Sequence, residues 1–501
     1  MSMVSLVNNS NIIDYPDCSC GYSPHIKYPE YPWRENTIAS ENNNYVYDLV
    51  RDCFRNAGLD THNYGSKNWN PLGEYISSGQ TVLLKPNWVM HANKDPKFSN
   101  SLDCLVTHPS VVRAVFDYVV IALKGSGRIC IADAPMQSCD LNRLFAVSGY
   151  KPLWEYMKKQ MASSGYDIIL NIQDLRNFYV QSVKKGTPSA PIIIEDSPLP
   201  LSIELGKLSL HTEFDKKAPC YKVSDYKQTQ TEVYHHDGCH RYEVSSLPFE
   251  ADVVISMPKP KSHRLAGMTA SMKNMVGITY DKASLPHRKL GDSTSGGDSY
   301  MKKSRFKEMM QKLDEYRTSA FIKERYRIST LLNWTMKGCY LLGVATTGDK
   351  SRIGSWYGND TIWRTVVDLN YALLYADKKG SLQDTPQRLV ITIADMVVAG
   401  QGAGPVAPTP KPLGMIMMSD NSLLFDYVMC KIMGFDHKKI PLLRSPLTFT
   451  RMGFLNPKDV ERAIIVFNNE KMSLGEFKPK MEWAFEPHPD WKGHIEEKNI
   501  E

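Results

Sequence analysis

No C-x-x-C pair occurs in this chain of 501 residues, although it holds ten cysteines, the closest being Cys18 and Cys20. The cysteine ladder of an iron–sulfur cluster is therefore missing. Scattered thiols in a chain of this length fit a reducing compartment, where they pack as small apolar groups. Long apolar runs are also missing. The most apolar later window, LLNWTMKGCYLLGVA, is interrupted by Lys337 and is too short to span a bilayer. The opening MSMVSLVNNSNIIDYP lacks the charged start and the apolar stretch of a secretory signal. No block of Lys or Arg is present, and the net charge is only +6, from 60 basic and 54 acidic residues, so the composition gives no footprint for nucleic acid. There is no internal repeat. These absences leave an expected cytoplasmic, non-membrane-spanning globular protein. Its 42% hydrophobic content can supply a sizeable core, and its length allows two or three domains.

What is present is a series of short apolar strands, each ending in polar residues. QTVLLKPN reads as a buried strand ending in Lys85 and Asn87, and RICIAD as one ending in Asp133. Between them THPSVVRAVFDYVVIALKGSG has helical spacing, with Thr107 as cap, Pro109 in the first turn and Gly125 at the stop. Strand, helix and strand within this span make a parallel crossover unit. ADVVISMPKPKSH predicts a strand leading to Lys259, Lys261 and His263, and RLVITIAD one ending in Asp395, followed by a glycine-rich loop, GQGAGP. The fold expected is α/β and two-lobed, with mostly parallel sheets flanked by helices and a ligand cleft between the lobes. The division expected is an irregular N-terminal region with one helix (1–79), a first α/β lobe (80–295) with a strand-rich insertion at about 175–245, a helical insertion (296–350), a second α/β lobe (351–446) and a C-terminal tail (447–501).

In open parallel sheets ligands bind beyond the carboxyl ends of the strands, so these polar ends converge if the strands share a sheet. SHRLAGMTASMKNMVG, Ser262 to Gly277, sets His263, Lys273 and Asn274 among small residues that permit close approach. A lysine there pairs with an anion as a point charge, or loses its proton on burial and acts as a base or nucleophile; a solvated lysine on a helix surface is the plain alternative. His263 suits acid–base work or a metal. HHDGCHRY, with His235, His236, Cys239 and His240, invites a zinc site, but no second cluster stands at finger-like spacing, so a solvated turn is expected. GQGAGP lacks the Lys-Ser/Thr ending of a phosphate loop and the G-x-G-x-x-G spacing; its Gly402 and Gly404 offer either backbone approach to a ligand or a tight connection.

The stretches LLKPNW, THPSVVRAVFDYV, GRICIADAPMQSCDLNRLFAVSGY, ADVVISMPKPKSHRLAGMTASMKNMVGI, DKASLPHRKLGD and GQGAGPVAPTPKPLGMIMMSDNSLLFDYVMCKIMG, in this order, resemble the family called domain of unknown function 362. The long form is similar to members found in bacterial surface-polysaccharide clusters. Some relatives carry ferredoxin-type cysteines, which this chain does not. A weaker resemblance is to the nickel-pincer lactate racemases, in which a His, a glycine-rich run, a cofactor-anchoring Lys and a further His follow an apolar strand. His263, Lys273 and His287 occupy those places here. Ala270 and Ser271 replace that family's paired glycines, and LKPNW replaces its early Asp-Thr-Arg-Pro segment. The resemblance implies a similar fold and site location, and these departures speak against the same cofactor.

The function expected is an enzyme acting on a small anionic molecule, such as a sugar or nucleotide-sugar precursor of a surface polysaccharide. Proton transfer of the racemase or epimerase kind, or metal-assisted chemistry, would be its reaction. Lys85, Asn87, Lys259, Lys261, Asn274, Arg288, Gly402 and Gly404 would bind the ligand. His263, Lys273, His287 and Asp133 would be catalytic, with His263 and His287 as ligands if a divalent metal is used. The competing expectations are a non-catalytic protein that binds a cofactor or glycan intermediate through the same residues, and a scaffold for other glycan-assembly enzymes.

Overall fold

The computed structural model describes residues 3–33, 44–184, 187–188, 191–217, 220–223, 230–322, 325–453 and 460–497. Among them eleven strands form one sheet: β1 (Met3–Asn8), β2 (Thr81–Pro86), β3 (Ser126–Asp133), β4 (Asp167–Asp174), β5 (Val253–Met257), β6 (Lys261–His263), β7 (Gly267–Thr269), β8 (Leu389–Ala403), β9 (Ala407–Ser419), β10 (Ile464–Phe467) and β11 (Glu470–Ser473). The order is β11-β10-β1-β9-β8-β5-β2-β3-β4, with β6 against β8 and β7 against β6. The run β8-β5-β2-β3-β4 is parallel throughout. The architecture is thus α/β with a mostly parallel sheet, and the strands expected of both lobes lie in that one sheet. Among the described residues no helix is long and apolar enough to cross a membrane.

Helices cover both faces because the strands are apolar on both. Val82 and Leu84 of β2 pack with α1 (Tyr45–Asn56) and α2 (Pro109–Leu123). Leu83 turns to the opposite face and packs with Leu369 and Ala372 of the helix Ile362–Tyr375. The strand-rich segment forms small satellite sheets: Pro200–Glu204 pairs with Cys239–Ser245, and Tyr221–Lys222 pairs with Arg288–Lys289. The helical insertion is a hairpin of Arg305–Ile322 and Tyr326–Thr347.

Four local expectations change. The N-terminal region is not irregular at its start: Met3–Asn8 enters the main sheet between β9 and β10. The C-terminal segment supplies β10 and β11 to the same sheet. Both segments are too short to show a period by themselves, and distant partners make them strands. GQGAGP is not a free loop after a strand. It continues β8 as a hairpin with β9, in which Gly400 faces Pro410 and Gly402 faces Pro408. Finally, His108, not Thr107, caps α2 by accepting the Ser110 N–H at 3.2 Å. Thr107 instead ties strand ends together, donating to the Met257 carbonyl at 2.6 Å and accepting the Asn87 N–H at 2.9 Å.

Candidate functional site

The carboxyl ends of β2, β3 and β5 open on one edge, and a cavity of about 130 Å³ lies there. Asp133, His263, Lys273 and His287 all line it, together with Asn87, Lys261 and Asn274. Three amide and ammonium groups form its floor. The Lys261 Nζ donates to Asn87 Oδ1 at 3.0 Å, and the Asn87 Nδ2 donates to Asn274 Oδ1 at 3.1 Å. Asn274 in turn donates to the Lys85 carbonyl at 3.2 Å and to Ser256 Oγ at 3.0 Å.

Lys85 is fully buried behind this floor and pairs with Asp133 Oδ1 at 2.6 Å, while Asp133 Oδ2 accepts the Trp88 N–H at 2.8 Å. Burial lowers the Lys85 pKa, and Asp133 opposes that shift. Gly277 covers the pair so closely that a Cβ would stand 2.0 Å from Asp133 Oδ1 and 2.6 Å from Lys85 Nζ.

Lys273 sits on the one-turn helix Ser271–Asn274, held from outside by Asp426, which accepts the Ser271 and Met272 N–H groups at 2.7 and 3.3 Å. Among the described residues its ammonium has no ion-pair or hydrogen-bond partner. Burial, then Lys282 and Arg264, lower its pKa to about 7. Lys261 is lowered to about 7 by burial and then Lys259, with Lys273 adding to the effect. Lys282, which also lines the cavity, donates to the Ala134 carbonyl at 2.8 Å and is lowered to about 8, chiefly by burial.

The two histidines present opposite hydrogen-bonding states. The His263 Nδ1 accepts the N–H groups of Leu265 and Ala266 at 3.0 and 3.2 Å, so the neutral ring carries its proton on Nε2. The His287 Nδ1 faces the Leu285 carbonyl at 3.0 Å and must donate to it, which leaves Nε2 as a lone pair. Burial holds His287 down to about 3 and His263 well below its usual range, so both rings are neutral at physiological pH.

This pattern bears on the metal. An Nε2–H does not ligate, and moving the proton to Nδ1 would set it against two backbone donors. Among the described residues no three His, Cys, Asp or Glu side chains gather in a metal-holding arrangement. The pair His263 and His287 does not fit a divalent-metal site.

Other expected site residues lie elsewhere. Lys259 is committed to Asp395 at 2.6 Å and also donates to Tyr15 Oη and the Val398 carbonyl. Asp395 lies inside β8, not at its end. Arg288 is buried in a satellite strand, donating to Ser299 Oγ at 3.2 Å. Gly402 donates its N–H to the Glu486 carbonyl at 2.9 Å, and a Cβ on Gly404 would meet the Ser262 carbonyl oxygen at 2.0 Å. Both glycines serve chain packing; Pro405 is the residue of that hairpin on the cavity. The small residues before Lys273 also make room for protein: a Cβ on Gly267 would come within 2.9 Å of Ile440.

His235 and His240 are buried, not in a solvated turn: their Nδ1 atoms are 3.3 Å apart, His235 Nε2 donates to the Ser284 carbonyl, and His240 Nε2 lies 3.0 Å from Asp215. Sequence reasoning missed Lys282 and Gly277. Gly277 ends SHRLAGMTASMKNMVG and Lys282 lies in DKASLPHRKLGD, but nothing in their spacing distinguishes them from neighbours that face away.

The profile of a family described as a domain of unknown function, DUF362, matches residues 82–166 and 175–431. The chain belongs to this family. Every residue lining the cavity falls inside those limits. No curated protein and no solved structure matches the chain.

Proposed function

We propose that this member of the DUF362 family is an enzyme that moves a proton on a small anionic molecule, in the manner of a racemase or epimerase. The observation that carries the reading is the meeting of two lysines whose pKa values stand near 7 with two neutral histidines of opposite polarity in one cavity. A proton carrier works best when its pKa lies near the operating pH. One lysine of the pair Lys261 and Lys273, as the free amine, takes a proton from a carbon next to a carbonyl or carboxylate. The other, as ammonium, returns one to the opposite face. The negative charge passes meanwhile to the substrate oxygen, to which the His263 Nε2–H donates. The His287 lone pair accepts a substrate hydroxyl, and Lys282 holds the anionic group.

Asp133 holds Lys85 and the Trp88 backbone and shapes the floor. The weaker similarity to lactate racemases points to the same reaction type. The similarity to members from surface-polysaccharide clusters makes cytoplasmic sugar-acid precursors of surface glycans the first substrates to try, with other glycan-assembly enzymes as candidate partners.

The test is to incubate the purified chain with pooled sugar acids and hydroxy acids in deuterated water and to follow carbon-bound deuterium by mass spectrometry. Time-dependent incorporation that Lys273→Met abolishes supports the reading. Anion binding with no incorporation for any acid would leave the non-catalytic binding protein as the function.

A further inference from the structure

We infer that the ligand of this cavity carries at least two negative charges close together, as a phosphate ester or a dicarboxylate does. The inference rests on the cavity being an anion site and adds the charge of the anion.

Three ammonium groups, Lys261, Lys273 and Lys282, share a space of about 130 Å³ with the Arg264 guanidinium, which adds to the positive charge around Lys273. Asp133 is the one carboxylate among its described lining residues, and both its oxygens are engaged, by Lys85 and by the Trp88 N–H. Lys261 and Lys282 lean on an amide oxygen and on backbone carbonyls, which are dipoles without net charge. Such acceptors offset part of the cost of a buried ammonium but do not cancel the repulsion among three of them. The lowered lysine pKa values are the same imbalance seen in the ligand-free chain.

Two ligand charges balance Lys282 and one of the pair Lys261 and Lys273. The other member of the pair then stays a free amine, the state that proton transfer needs. One charge would leave Lys282 or the proton donor unmatched. Size points the same way. An apolar cavity only slightly larger holds benzene, so this one takes roughly five to eight non-hydrogen atoms, the size of a phosphate or short dicarboxylate group, with the rest of a larger ligand in its open mouth.

The probes are inorganic phosphate, malonate and succinate as multiply charged anions, and acetate, lactate and chloride as single ones. Thermal melts of the full chain are compared at constant ionic strength and neutral pH. The multiply charged set should raise the melting temperature by several degrees and the single set by almost nothing. Phosphate against malonate and succinate shows which head group fits. Lys273→Met and Lys282→Met should each lose most of the shift, so that one variant still decides if the other does not fold. Calorimetry of the strongest anion at mildly alkaline pH, in buffers of different ionisation enthalpy, should show protons taken up on binding.

Acetate or lactate matching the multiply charged anions would overturn the charge count while leaving the anion site. No shift with any probe would overturn both. A full shift with phosphate or a dicarboxylate, alongside failed deuterium incorporation, would refute the proposed reaction and support this inference.

Discussion

The Lys85 ammonium and the Asp133 carboxylate meet at 2.6 Å with both side chains buried, and Gly277 closes over them at a distance no Cβ could occupy. The pair lies behind the floor of the cavity, whereas Lys261, Lys273 and Lys282 on the cavity itself have no carboxylate partner among the described residues. A buried, paired lysine and a half-buried one without a carboxylate thus stand close together, and they should respond oppositely to substitution.

Lys85→Met removes one member of a buried pair and strands Asp133, so it should cost about 3–5 kcal/mol of stability. Lys273→Met removes a cation without an ion-pair partner among the described residues and should leave the fold as stable or slightly more so. Urea unfolding of both variants checks this. Equal losses would mean that Lys273 has a carboxylate partner after all.

Gly277→Ala should be destabilising although alanine suits the backbone there, because its Cβ would overlap Asp133 and Lys85. Overpacking of this kind costs about 1–3 kcal/mol. The pair would be pushed apart and the floor would shift, so anion affinity should fall as well. A variant as stable as the wild type, with unchanged phosphate-induced melting shifts, would contradict the packing described.

Lys259→Met should separate stability from binding. Lys259 pairs with Asp395, and Tyr15 packs on it and on the His108 ring, stacked at 3.9 Å. Losing this buried cation should cost about 3–5 kcal/mol and leave anion-induced melting shifts intact. Loss of anion binding in a folded variant would return Lys259 to the ligand site.

The ligand-free protein should become more stable as pH rises above neutrality. Lys261 and Lys273 titrate near 7 and Lys282 near 8 in the folded chain, against about 10.4 in an unfolded one. Between those values the unfolded chain binds more protons, so stability rises with pH across that window and is lost as pH falls through the folded pKa values. Urea midpoints measured from neutral to alkaline pH should rise, and more gently in Lys273→Met. A flat profile, or one that falls over the whole window, would show that the lysines keep ordinary pKa values.

His263 and Lys273 are legible as candidates because one follows an apolar strand and the other ends a small-residue run, features that a local window contains, whereas His287 enters only through the resemblance to the lactate racemases. Lys259 has the same local setting and was read the same way, yet it turns to Asp395, a residue more than a hundred positions away. Lys282 shows the converse. Its neighbours look like loop, and only the return of that loop over Ala134 brings its ammonium to the cavity.

The amino-acid sequence by itself determined the α/β class, the parallel strands Thr81–Pro86, Ser126–Asp133 and Val253–Met257 with the first half of Leu389–Ala403, and the helices between them. Apolar runs and 3.6-residue periods are properties of neighbours along the chain. Tertiary structure alone decided that Met3–Asn8 and Ile464–Phe467 are strands, that GQGAGP extends β8, which lysines have carboxylates and which do not, and where each histidine holds its proton. Those outcomes depend on partners distant in sequence, since a charge or a hydrogen-bonding atom takes its state from whatever lies within a few ångströms of it.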